Sequence, residues 1–226
     1  MSDISLCYTM QGAGPPLLLL HGNGEDGSYF VHQCDYFARR YTVYAIDTRG
    51  HGKTPRGTAP FTIDQFAEDL LDFVDEHDMA QVRLLGFSDG ANSALRFALA
   101  NPERVRRLVL NGGNLDPSGV KASVQIPIIL GYKLASLFAK WDPKAKGHAE
   151  MLGLMVNHPH IDPAALEDLY VPALVIVGTR DMIKDGHTVL IANSLPNSRL
   201  EVIAGDHFIA AKNPDAFNEA VAKFLE

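Results

Sequence analysis

Residues 82–91 read Val82-Arg83-Leu84-Leu85-Gly86-Phe87-Ser88-Asp89-Gly90-Ala91, and the reading of this stretch decides the fold. The apolar run 82–85 has the length of a strand, and residues 91–99 beyond the glycines carry a helix-like pattern. A strand must therefore turn into a helix within Gly86-Phe87-Ser88-Asp89-Gly90. Runs of the same kind recur at 17–20, 42–46, 105–110, 173–177 and 200–203. The clearest is Leu17-Leu18-Leu19-Leu20, which follows Pro15-Pro16 and stops at His21-Gly22. Continuous rather than alternating apolarity predicts strands buried on both faces. A weaker signal places an opening strand or hairpin around residues 4–10. Strands alternating with helices give the α/β class, a mostly parallel twisted sheet with helices on both faces.

The intervening segments carry helix signals of their own. Thr62 followed by Gln65 reads as a capping box that opens a helix running to about Glu76. Its Ile63, Phe66, Leu70, Phe73 and Val74 fall on one face. Asn213-Pro214 opens a last amphipathic helix with Phe217, Val221, Phe224 and Leu225 turned inward. Residues 115–169 break the rhythm: they hold no strand pattern, only two or three helix-like pieces, and are too long for a plain connection. We expect a core of residues 1–114 and 170–226 with a small helical lid, 115–169, inserted between two core strands.

The chain has 226 residues, enough for one domain with a substantial core. Its net charge of −7 and the absence of a basic run argue against a nucleic-acid partner. No apolar run is long enough for a membrane span. The N-terminal residues show neither the basic nor the apolar part of a secretion signal, so we expect a cytoplasmic protein. Cys7 and Cys34 suggest neither a metal cluster nor a disulfide framework. No nucleotide, flavin or metal site is evident, and neither glycine-rich segment near residues 21–27 or 48–54 is a P-loop.

Gly86-x-Ser88-x-Gly90 between strand and helix is the setting in which a serine is held out as a nucleophile. The turn is tight, so small residues must stand two positions to either side of Ser88. A serine hydroxyl needs a base, and the base needs an orienting acid. Asp181 follows the strand 173–177 in Gly178-Thr179-Arg180-Asp181, and His207 follows the strand 200–203 in Gly205-Asp206-His207-Phe208. All three stand after C-terminal strand ends, where open parallel sheets place their ligands. The backbone N–H groups of Asn23 and Asp89 are candidates to hold an oxyanion.

His21-Gly22-Asn23-Gly24 after a strand, Asp47 to Gly52, Gly86 to Gly90, Gly178 to Asp181 and Gly205 to Phe208 together resemble the α/β-hydrolase superfamily over nearly the full chain. The resemblance implies Ser88 as nucleophile, His207 as base, Asp181 as acid, and an oxyanion hole from Asn23 and Asp89. The histidine motif is one residue shorter between Gly205 and His207 than the family's usual pattern. Asp116, after an earlier strand, is the rival acid, because some members carry theirs there. His21 and His51 read as scaffold, and His148, His158, His160 and His187 as lid or solvated residues. Asp89 is unusual as the residue after the nucleophile, and a similar Ser-Asp-Gly step occurs in valacyclovirase-like hydrolases. An acid there could select a cationic substrate; we expect instead that it turns into the scaffold and pairs with a base or caps a turn.

The lid segment is rich in Ile126, Ile128, Ile129, Leu130, Leu134, Leu137, Phe138, Trp141, Leu152, Leu154 and Met155. Most are expected to pack on the core, with Leu130, Leu134, Phe138, Trp141 and Met155, together with Phe208 and Asp89, left to line a modest apolar pocket. The resemblance implies a cofactor-free serine hydrolase acting on small, largely apolar carboxylic esters. Lactone, thioester or carbon–carbon hydrolysis and perhydrolysis use the same triad. A non-catalytic small-molecule sensor is the rival from another class. The partner expected is a small-molecule ester, with the protein a monomer or homodimer.

Overall fold

The computed structural model describes residues 3–226. Seven strands form one sheet: β1 (Tyr8–Gln11), β2 (Pro16–Leu20), β3 (Thr42–Ile46), β4 (Val82–Phe87), β5 (Val105–Asn111), β6 (Ala173–Gly178) and β7 (Ser198–Ile203). Their order is β1-β3-β2-β4-β5-β6-β7, with β1 antiparallel to β3 and the remaining pairs parallel. In β2 the side chains of Leu17 and Leu19 go to one face and those of Leu18 and Leu20 to the other. Both faces are covered, which is why the run is apolar throughout.

On one face lie α2 (Ile63–Glu76) and α3 (Asp89–Ala100), whose Leu70, Phe73, Val74, Leu95 and Phe97 pack on Leu18, Leu20, Leu84 and Leu108. On the other lie α1 (Val31–Phe37) and a C-terminal helix that begins at Pro214; its Phe217 and Val221 meet Leu17, Leu19, Val109 and Leu174. Thr62 caps α2 by accepting a hydrogen bond from the Gln65 N–H at 3.1 Å. The Gln65 side chain does not reach back as a full capping box would; it donates to Asp69 at 3.2 Å instead.

Two strands depart from expectation. β1 starts at Tyr8 rather than near residue 4, because Cys7 turns its N–H to the Thr54 hydroxyl and its carbonyl to Asp47 N. β7 is not buried on both faces: it is the sheet's edge, and Leu200 and Val202 are 39% and 56% exposed. An edge strand can carry apolar residues without covering them, and periodicity alone cannot reveal that.

Between β5 and β6 the chain forms α4 (Ala122–Phe138) and α5 (Pro143–Asn157), which pack side by side. The core beneath is completed by α6 (Asp185–Ser194), and α7 (Ile209–Lys212) leads into α8 (Pro214–Leu225). Leu154 is fully buried, but Ile126, Leu130, Leu134, Leu137, Phe138 and Trp141 are 54–78% exposed. Of the side chains expected to pack on the core rather than line a pocket, Ile126 and Leu137 are therefore not covered. Among the described residues no helix is long and apolar enough to cross a membrane.

A buried ion pair ties the loop after β3 to α2. The Arg49 side chain is fully buried; its Nε and Nη2 donate to both Asp69 oxygens at 2.7 and 2.6 Å, and Nη1 lies 2.7 Å from Asp3. Removing one partner of such a pair leaves a buried charge undercompensated. Asp69→Ala is expected to lower the unfolding free energy by about 3 kcal/mol, read as a lower urea midpoint at unchanged slope. A midpoint within error of wild type would show that Asp3 alone satisfies Arg49.

Candidate active site

Ser88 joins β4 to α3 with φ 53° and ψ −119°, a strained backbone for a residue with a Cβ. Its N–H donates to the Asn111 carbonyl at 2.8 Å, and its carbonyl accepts from Ala91 and Asn92 at 2.9 and 3.1 Å. The flanking glycines have no spare room. A Cβ on Gly86 would stand 2.3 Å from the Gly90 carbonyl oxygen, and one on Gly90 would stand 2.1 Å from that of Leu20. Steric exclusion at both positions is what lets strand and helix meet so abruptly.

The loops after β6 and β7 are laced together by backbone hydrogen bonds, Thr179 N to the Ile203 carbonyl at 2.8 Å and Arg180 N to that of Gly205 at 2.9 Å. This brings Asp181 Oδ1 to 2.7 Å from His207 Nδ1, with both side chains buried. Burial alone would raise the Asp181 carboxyl. Hydrogen bonds from His207 and from the Ile183 and Gly178 amides outweigh it and hold the group below the usual carboxylate range. The acid is thus ionised and fixes Nδ1 as the protonated ring nitrogen. The ring packs 4.8 Å from Phe87 and 5.6 Å from Phe208, and Gly112 leaves the space it fills. His207 Nε2 is buried and without a hydrogen-bond partner among the described residues.

The loop after β2 is shaped by His21. Its Nδ1 donates to the Gly22 carbonyl at 2.7 Å and its Nε2 accepts from Thr48 N at 3.1 Å, an arrangement only the neutral ring can make. Burial, with His51 nearby, pushes its pKa down to about 4. In a trans peptide the carbonyl and the next N–H point opposite ways, so a fixed Gly22 carbonyl aims the Asn23 N–H. Neither that N–H nor the Asp89 N–H has a partner within the described chain. The Asn23 side chain is engaged elsewhere: Nδ2 donates to the Met151 carbonyl on α5 at 2.6 Å. A second tie follows at Glu150, whose carboxylate takes Arg56 Nε and Nη2, each at 3.0 Å.

The other predicted residues divide. Asp116 does not approach His207; it pairs with His160 at 2.8 Å and caps a short turn. Asp89 does turn into the scaffold, but toward an amide rather than a base: Oδ1 accepts from Asn92 Nδ2 at 3.2 Å. Its Oδ2 is buried without a partner, and burial pushes the group up to about 6. Leu134 and Phe138 line an apolar groove of about 480 Å³ between α4 and α5, together with Met151 and Leu152. Leu130 and Trp141 lie outside it, 61% and 78% exposed, and Met155 is half-buried on α5, also outside. Phe208 stands beside His207 as expected.

Sequence reading missed three contributors. Tyr29 stacks flat on Phe87 at 4.5 Å, with its hydroxyl buried and unpartnered. Met151 lines the groove and reaches within 4.0 Å of where a Gly24 Cβ would stand. Lys121 Nζ donates to the Asp181 carbonyl at 2.6 Å from the start of the two-helix insertion. Nothing in the local sequence signals these three, since each acts across the fold. Glu25, close to the end of β2, accepts from the Gly22 N–H at 3.3 Å, and burial raises its carboxyl. Among the described residues no cluster of His, Cys, Asp and Glu could hold a metal ion, and both cysteines are free thiols.

The chain is similar to known proteins over nearly its full length. The alpha/beta hydrolase fold family matches residues 15–132. A RutD protein of Azorhizobium caulinodans, named as a carbamate hydrolase, is 27% identical, spanning 98% of this chain and 95% of that one. The 3-oxoadipate enol-lactonase 2 of Acinetobacter baylyi is 25% identical, spanning 99% and 94%. Among solved structures, a hydrolase from Pseudomonas aeruginosa superposes with a TM-score of 0.81 at 26% identity, covering 98% of this chain and 94% of that one.

The buried Asp89 carboxylate, with one oxygen unpartnered, has a consequence for stability. Burial holds its folded pKa at about 6, above the usual carboxylate range, so the group favours the folded state least where it is ionised. Stability is therefore lost as the pH rises from near 4 through 6. Asp89→Asn, which keeps the shape without the charge, is expected to stabilise the protein by about 2 kcal/mol well above pH 6 and by little near pH 4. Thermal unfolding at both pH values checks this, and equal shifts at both would show that charge is not the cause.

Proposed function

The chain belongs to the alpha/beta hydrolase fold family, and from that premise we propose that it is a serine hydrolase cleaving small, largely apolar carboxylic esters through an acyl-enzyme. The observation that carries the reading is the buried Asp181–His207 pair at 2.7 Å, whose ring packs against Phe87, the residue before Ser88, and beside Gly112, with Nε2 left without a partner. Hydrogen bonds between nucleophile and base are often long before substrate binds, so the unpaired Nε2 suits the resting state.

In this mechanism the Ser88 hydroxyl attacks the ester carbonyl carbon while His207 Nε2 takes its proton. The negative charge that develops on the carbonyl oxygen is met by the Asn23 and Asp89 N–H groups, the second at the start of α3, where the helix dipole adds to it. The charged imidazole is balanced by ionised Asp181. As the intermediate collapses, the carbon–oxygen bond breaks and His207 returns the proton to the leaving alcohol. Water then repeats the sequence on the acyl-serine, its proton passing through His207 and its oxygen leaving in the acid. The groove lined by Leu134, Phe138, Met151 and Leu152, with Phe208 and Tyr29 nearer the histidine, would take the acyl group.

A second reading has support in one observation. The RutD relative is named for carbamate hydrolysis, which presents the same carbonyl to the same groups with nitrogen on one side. The test is hydrolysis of p-nitrophenyl esters from acetate to dodecanoate, with a p-nitrophenyl carbamate and an enol-lactone as further arms. We expect the esters to be turned over fastest, with an optimum at short to medium chains, and Ser88→Ala to lower the rate at least about a thousandfold. Equal rates in wild type and variant would overturn Ser88 as nucleophile. A faster carbamate or lactone would keep the machinery and replace the substrate class, and a stable protein inert toward every arm would favour the sensor.

A further inference from the structure

The outer face of α4 is apolar in a way that the groove does not use. Ile126, Leu130, Leu134 and Leu137 recur at helical spacing along one face, followed by Phe138 and by Trp141 in the turn after the helix. All are more than half exposed, Trp141 most of all at 78%. Ile126, Leu130, Leu137 and Trp141 line no part of the groove. So many large apolar side chains on one short segment are unusual for a face bathed in water.

The charges around this face have the opposite sign to the rest of the chain. Lys133, Lys140, Lys144 and Lys146 are exposed on or next to it, against one acid, Asp142, which caps α5 by accepting from Lys144 N at 2.9 Å. The whole chain carries −7. Lysines beside an apolar stripe that ends in an exposed tryptophan form the pattern that settles into the headgroup layer of an anionic bilayer. A second copy is a poorer occupant, because a two-fold contact through this face would set lysine against lysine. The helix is too short and interrupted to span, so it would lie in the interface.

We propose that the α4 face, with Trp141 and its flanking lysines, docks the protein on an anionic lipid surface. The lysines supply attraction within a Debye length, and Ile126, Leu130, Leu137 and Trp141 enter the headgroup region. This docking does not depend on the catalytic reading, since none of those side chains touches Ser88, Asp181 or His207.

Trp141 is the chain's single tryptophan, so the native protein carries its own probe. We would titrate it with vesicles of phosphatidylcholine mixed with phosphatidylglycerol and with vesicles of phosphatidylcholine alone, following tryptophan emission and vesicle flotation. The expected result is a blue shift and flotation with the anionic vesicles only, reversed by high salt. The triple variant Lys133→Glu, Lys140→Glu, Lys144→Glu should weaken binding at least about a hundredfold, since each lysine near the surface is worth roughly fivefold. Ile126→Ser with Leu137→Ser should abolish the shift while the far-ultraviolet circular dichroism stays that of wild type. Ser88→Ala should bind as wild type does, which separates this proposal from the enzymatic one. Absence of a shift with either vesicle would overturn it. So would equal binding to both vesicle types, or a blue shift that grows with protein concentration without lipid, which would give the face to a second copy.

Discussion

The backbone around Ser88 has no room at Gly86 or Gly90, and the rest of the candidate site is registered to that exclusion. Gly90 lies against the carbonyls of Leu20 and His21, so α3 can start only where β2 ends. His21 is also the residue whose ring holds the Gly22 carbonyl and thereby aims the Asn23 N–H. On the other side the Ser88 N–H is held by Asn111 at the end of β5, and Gly112, next in the chain, makes the space for His207. One steric fit between neighbouring strands thus places the proposed nucleophile, both free amides and the histidine. Strain at Ser88 of roughly 1–3 kcal/mol persists because fully buried Leu18, Leu85 and Val109 hold the surrounding strands in place.

The acids near this point are sorted by their hydrogen bonds rather than by their distance from solvent. Asp181, Asp89 and Glu25 are each desolvated, which raises all three. Asp181 alone among them receives enough donors to end below its usual range, and it receives them from His207 and two backbone amides. Asp89 has one amide partner and Glu25 one backbone N–H, and both stay raised. Environments that push neighbouring acids apart in this way leave one permanent counter-charge for a protonated imidazole. The acid bonded to the ring is the one held below the usual carboxylate range.

Much of this was legible in the sequence because it is carried by local chemistry. Glycine spacing, apolar runs and the order of Ser88, Asp181 and His207 each follow from what a short segment must do at a strand end. The structure puts Asp181 and not Asp116 on His207, a choice the motifs favoured without deciding. What escaped the sequence depends on partners far along the chain. The Asn23–Met151 tie spans 128 residues, the Arg56–Glu150 tie spans 94, and Lys121 reaches Asp181 across 60. The exposure of β7 escaped for a related reason: apolarity says that a residue can be buried, and only sheet order says whether anything covers it.

The same limit explains the two helices between β5 and β6, which look alike in composition and behave differently. α5 is held to the core through consecutive residues, Glu150 to Arg56 and Met151 to Asn23, by directional polar contacts. Among the described residues α4 is tied to the core in this way only at Lys121, just before its first turn; beyond that it lies on α5, with Gln125 donating to the Met155 carbonyl at 2.9 Å. A groove between them therefore has one wall registered to the loop that carries the Asn23 N–H and one wall that is not. In the proposed esterase, acyl length would be read mainly at Leu134 and Phe138 on the α4 side. A helix apolar on nearly every side is normally a buried one. α4 half-buries one side against α5 and leaves the other open, and the proposed lipid surface would give that open side an apolar phase of its own.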